Sequence, residues 1–255
     1  MRRTSVTDHY GGKITGLWFV LAVPALTYLV VVCLFGNAAG VPAAARALGI
    51  AVATILIAYL TAPMIWKDEG PRSHVDSGIW SLVTAILSAA LAMVYTPVAT
   101  WLSLALPLAA GVLSVCLLLG ALTLFLTRSI RIPATVAHRL VLVVLLLSIT
   151  APLWLGPLCA TVASQSITDL VLAVSPIGYL ASLTDFDPLR STWFYTNTPL
   201  GGLRYNYPDP VLLTAVYWSL AMLLPRLRTP GTHRLSIQVI TNLTSLRRIH
   251  KGPTS

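Results

Sequence analysis

Long apolar runs separated by short polar breaks dominate this sequence. A helix that crosses a bilayer needs about 20 mostly apolar residues, with a range of roughly 17–25. Five stretches meet that requirement: residues 15–36, 44–66, 78–95, 100–127 and 135–160. A sixth, 210–224, is shorter and lies between Asp209 and Arg226. One more apolar run, 167–183, carries Asp169 near its start and Pro176 in its middle. A charge and a helix breaker in so short a run argue against a simple crossing, so it is read as a re-entrant or interfacial element. The pattern predicts an all-α, polytopic membrane protein. A single transmembrane domain over 1–225 is followed by a basic tail over 226–255.

Composition supports the same class. Apolar residues make up 56% of the 255-residue chain and charged residues only 10%, with a mean hydropathy of +0.80. Soluble domains carry about 25% charged residues. So little charge cannot cover a water-facing surface, which excludes a soluble enzyme, a disordered chain and a nucleic-acid binder. Arg2, Arg3 and Lys13 precede the first apolar run, as in a signal peptide. That run outlasts the roughly 7–15 residues of a signal h-region, so it is expected to be an uncleaved first helix.

Charge sets the orientation. The formal net charge is +9, from 17 basic and 8 acidic residues. With six crossings and both termini in the cytoplasm, the cytoplasmic segments hold Arg2, Arg3, Lys13, Lys67, Arg72, Arg128, Arg131, Arg139 and the Lys and Arg of the tail. The outer side keeps only Arg46, Arg190 and Arg204. This is the asymmetry of the positive-inside rule. A full crossing over 167–183 would put the basic tail outside. The tail itself places Leu235, Val239, Leu243, Leu246 and Ile249 near one helical face beside Arg234, Arg247, Arg248 and Lys251. That pattern suits contact with anionic inner-leaflet lipid.

The sequence offers little chemistry. No phosphate-cradling GxxxxGK[ST] loop, HExxH or GxSxG occurs. Cys33, Cys116 and Cys159 sit singly in apolar runs and read as small hydrophobes. His138, at the inner end of the fifth helix, has no second histidine to pair with as a haem ligand, and reads as structural or interfacial. No catalytic residue, cofactor or metal is assigned. Asp185-Phe186-Asp187 is a DxD, a weak hint of metal-dependent chemistry and more often a pair of loop or capping aspartates. The helices have almost no charge between their ends, which argues against ion-coupled transport. Pro24, Pro63, Pro107, Pro152 and Pro157 can kink helices, while Ser88, Ala89, Ala92 and Gly111 suit close helix packing. Residues 184–209 form an aromatic outer loop. Its Trp193, Tyr195, Tyr205 and Tyr207 suit headgroup depth, and a lid or a subunit interface fits this composition.

Six helices, cytoplasmic ends, a charged loop after the second helix and an apolar element before the sixth resemble the membrane subunit of ABC-2-type ABC exporters. The local match is Ser175-Pro176-Ile177-Gly178-Tyr179, similar to that family's Asn/Ser-Pro-hydrophobic-x-Tyr stretch. The resemblance implies an ATP-driven exporter permease in a bacterial cytoplasmic (inner) membrane. It implies an outer gate at Ser175, Pro176 and Tyr179, and a contact with a separate cytoplasmic ATPase at Lys67, Asp68, Glu69 and Arg72. It also implies a homodimer or a hetero-oligomer with other membrane subunits. The alternative expectation is a structural or accessory membrane subunit of a larger complex, without transport or catalysis of its own. An intramembrane lipid enzyme using Asp185 and Asp187 ranks behind both.

Overall fold

The computed structural model describes residues 42–66, 74–162, 164–184, 186–190 and 203–227. The predicted helix over 15–36, the charged stretch with Lys67, Asp68, Glu69 and Arg72, Asp185, and the tail beyond residue 227 lie outside the described residues. Among the described residues all regular structure is helical.

The first two elements are α1, Ala43–Trp66, and α2, His74–Tyr95, which begins one turn earlier than the apolar pattern suggests. A sharp turn through Pro97 follows. It is closed by Trp101, whose indole N–H donates to the carbonyls of Met93 and Thr96 at 3.1 and 3.2 Å. The Met93 carbonyl is one that the end of α2 leaves without a helical partner, since Pro97 has no N–H to offer it. A widened turn over Trp101–Ala105 leads into α3, Leu106–Arg128. Among the described residues, three helical stretches, Ala43–Pro63, His74–Val94 and Trp101–Arg128, are long and apolar enough to cross a membrane.

α3 is the central post. α1, α2 and three later helices all pack on it. Two glycines let neighbours approach. A Cβ on Gly120 would lie 1.9 Å from Ser77 Oγ of α2, and one on Gly111 would lie 2.4 Å from a terminal carbon of Leu183. Five hydroxyls in the apolar interior are satisfied locally, while those of Ser88 and Ser175 are buried without a partner among the described residues. Thr54, Ser81, Thr84, Ser114 and Thr123 each donate to the carbonyl four residues back, as hydroxyls buried in a membrane helix commonly do.

The apolar run 135–160 is not one helix. It divides into α4, Ala134–Ile149, α5, Ala151–Trp154, and α6, Gly156–Val162. Pro152 and Pro157 have no N–H for the carbonyls of Ser148 and Leu153, so the ladder breaks at Thr150 and again at Leu155. α4 has 16 residues and therefore spans about 24 Å, short of a hydrocarbon core of about 30 Å.

The run 167–183 becomes α7, Gln165–Val174, and α8, Pro176–Thr184, bent by 91° at Ser175. If this pair counts as one broken span, the described residues hold four candidate spans. The bend is tight: a Cβ on Gly178 would sit 2.2 Å from the Leu172 carbonyl oxygen. The last described helix is α9, Pro210–Leu223, continued by a final turn to Arg226.

Contacts along the bundle give the helix directions. Trp218 of α9 donates its indole N–H to Ser114 Oγ at 2.9 Å, and Ser129 Oγ donates to the Leu227 carbonyl at 2.6 Å. α9 therefore runs parallel to α3. His138, early in α4, meets Tyr59, late in α1, and Tyr59 meets Thr123, late in α3. α4 therefore runs against α1 and α3. The outward faces carry exposed large apolar side chains, among them Ile79, Ile86, Val143, Leu147 and Leu212. In water such a surface would aggregate; against lipid it is the expected solvent face.

Candidate functional site

The bent pair and the segment that covers it bring most of the unusual polar residues together. Ser175 stands at the corner and is fully buried, and Pro176 and Tyr179 are buried beside it. The three residues expected at an outer gate thus lie on the inward side of the bend. The Tyr179 hydroxyl pairs with Thr214 Oγ1 of α9 at 2.6 Å, and its ring meets Tyr217 edge-on at 4.9 Å. α8 also packs on α1, α3 and α4, so this short helix is the wedge where the bundle's elements converge.

Residues 203–209 run over the pair as a strap. Asp187 is its main anchor. Its carboxylate accepts from the Leu189 and Arg190 amides at 3.0 and 3.2 Å, from Tyr205 OH at 2.9 and 3.0 Å, and from Tyr207 OH at 2.7 Å. Arg190 Nε pairs with it at 3.2 Å, and the guanidinium lies over the Tyr205 ring, 5.8 Å from the centroid. Asp169 is the second anchor, accepting from the Asn206 amide at 2.7 Å. Asp209 caps α9 by accepting from the Val211 and Leu212 amides at 2.8 and 3.3 Å. Tyr205 is buried against Leu172 and Leu189, with Tyr207 packed beside them. Burial, reinforced by the neighbouring Asp187 carboxylate, pushes the Tyr205 hydroxyl up to about 12 and also raises Tyr207. Asp187 is therefore the hub of a loop network, the role that aspartates near a helix pair commonly fill. Asp169 interrupts its apolar run because it receives the strap.

A second polar cluster lies between α1, α3 and α4. Pro63 cannot donate to the Tyr59 carbonyl four residues earlier. His138 Nε2 lies 2.6 Å from that oxygen. Its ring stacks on the Tyr59 ring at 4.2 Å and 10°, and Trp80 meets Tyr59 edge-on at 5.8 Å. Tyr59 OH pairs with Thr123 Oγ1. His138 is thus a structural histidine that replaces a missing main-chain donor. The sequence carried half of this signal, because Pro63 names the orphaned carbonyl. Nothing in the sequence named the partner 79 residues away. Cys116 and Cys159 are buried thiols without a disulfide.

An apolar groove of 480 Å³ runs along the outward side of α2 and α3, lined by residues such as Ala85, Ala89, Ala109 and Leu113. No protein-family model, curated protein or solved structure matches the chain.

Proposed function

We propose that the chain is the membrane-spanning permease subunit of an ATP-driven exporter, with six crossings and both termini in the cytoplasm of a bacterial cell. The carrying observation is a direction. α9 runs parallel to α3, and α4 runs against both. The chain therefore leaves α4 and starts α9 at the same end of the bundle. A connection that returns to its own side suits a re-entrant element, and the 91° bend between α7 and α8 supplies one. Arg128, Arg131, Arg139 and Arg226 gather at the other end of the helices, which supports a cytoplasmic assignment for it.

In this reading the wedge at Ser175, Pro176 and Tyr179 closes the outer end of a pathway. Lys67, Asp68, Glu69 and Arg72 meet a separate cytoplasmic ATPase. The sequence has no GxxxxGK[ST] loop, so in this reading the free energy comes from that partner. A homodimer, or a pair with another membrane subunit, encloses the pathway, and this chain carries no catalysis and no cofactor.

The test is the composition of the native complex. Two membrane bundles co-purifying with two nucleotide-binding subunits support the reading. A complex without any Walker-motif protein overturns it in favour of a structural membrane subunit. Cysteine accessibility of residues 67–73 against 203–209 checks the orientation: both reacting from one side of the membrane contradicts it.

A further inference from the structure

We infer that residues 203–209 form a latch that opens and closes over the α7–α8 pair as a unit of its own, while the helices beneath stay folded. Among the described residues no backbone-to-backbone hydrogen bond ties 203–208 to the helix pair. Its attachments converge on two carboxylates, Asp169 and Asp187. Carboxylates are strong acceptors, but they are also the groups that water solvates best. The Asp187 side chain retains 26% of its exposure, and the Asn206 bond to Asp169 is exposed. Water can therefore replace each attachment as it breaks, so the net cost of release is small.

The apolar seat is small: Tyr205 is buried on Leu172 and Leu189, and the half-buried Tyr207 packs beside them and against the edge of the main core. The α8 helix beneath is held differently. Tyr179, Leu180 and Ala181 of α8 belong to the main core with α1 and α3, and Tyr179 is tied to Thr214. At the far end of the strap, Asp209 pins the start of α9, and Pro208 and Pro210 stiffen the link. The segment Tyr205-Asn206-Tyr207 thus has a fixed pivot on one side and exchangeable contacts along its length. Its release uncovers Leu172 and Leu189, which are 1% and 2% exposed when it is seated. The inference concerns which parts separate and does not depend on the exporter reading.

The test uses the full chain with Cys33, Cys116 and Cys159 replaced by alanine and Leu172→Cys as the probe, in detergent micelles. A water-soluble maleimide should label the probe slowly with the strap intact. It should label about tenfold faster or more when Asp169→Asn and Asp187→Asn are added, since each substitution removes a charged acceptor. A control probe at Leu108→Cys, in the core of α3, should stay unlabelled in both. Equal labelling of Leu172→Cys in the two backgrounds overturns the inference. Should the double variant fail to fold, amide hydrogen exchange on the unaltered chain decides. The Asn206 amide, held by the Asp169 carboxylate, should exchange about tenfold faster or more than the hydrogen-bonded amides of α8. A single common rate for strap and helix pair overturns the latch.

Discussion

His138 donates to the carbonyl that Pro63 leaves bare: its Nε2 lies 2.6 Å from the oxygen of Tyr59. A carbonyl only accepts, so Nε2 carries the proton. Removing one partner of a buried hydrogen bond costs about 1–3 kcal/mol. His138→Ala should lower stability by about that amount, measured by thermal unfolding in detergent. Pro63→Ala supplies an N–H four residues after Tyr59 and should recover much of the loss when combined with His138→Ala. If His138→Ala costs the same with and without Pro63→Ala, the imidazole does not serve this carbonyl.

Gly178 and Gly111 should respond differently to alanine. The Cβ at 178 meets a main-chain oxygen at 2.2 Å, whereas the Cβ at 111 meets the movable ends of Leu183 and Leu180. Backbone cannot step aside without opening the α7–α8 bend, while leucine rotamers can. Gly178→Ala should cost about 3 kcal/mol or more, and Gly111→Ala about 1. Unfolding midpoints of the two variants, compared in one detergent, check the order. A larger loss at 111 refutes this account of the bend.

The strap should weaken at high pH. Tyr207 and Tyr205 hold their protons more tightly when seated, Tyr205 up to about 12 against an ordinary 10.0. A released strap ionises in the window from 10.0 to about 12, where the seated Tyr205 stays neutral. Seating is therefore undiminished below the ordinary value and is lost as the pH rises through that window. Ultraviolet titration of tyrosinate should show the late ionisation, and Asp187→Asn should bring both hydroxyls back toward the ordinary value. Titration unchanged by Asp187→Asn would contradict the assignment of Asp187 as the hub.

Asp209 is the side-chain cap of α9. Asp209→Ala should cost about 1 kcal/mol, and Asp209→Asn only a fraction of that. Amide exchange at Val211 and Leu212 should rise in the alanine variant and hold in the asparagine variant. Identical protection in both would assign the helix start to Pro210 alone.

What could be read from the sequence follows from the range of the forces involved. The helical class and the positions of α1, α2, α3 and α9 come from local apolar runs, which the bilayer converts directly into helices. The bend near Pro176 was legible because Asp169 and Pro176 both violate a simple span. The division of 135–160 was not legible, although Pro152 and Pro157 stand there. In membrane helices prolines are often absorbed by neighbours, and only the packed structure shows that here the ladder gives way. The strap was legible as aromatic but not as anchored. Its partners, Asp187 for Tyr205 and Asp169 for Asn206, are separated by 18 and 37 positions, and no periodicity links them.

The central place of α3 also bears on how the protein is made. Ser114 and Ser129, in and just after that helix, find partners at Trp218 and Leu227, near the end of the described chain. These partners follow 104 and 98 residues later, so a ribosome must add them before either contact can form. During that interval one side of the post is open to lipid or to an insertion chaperone. A chain released early, before residue 210, would lack α9 altogether and leave that side bare. The last described helix thus closes the packing around α3, and until it is added the side of α3 that carries Ser114 stays uncovered.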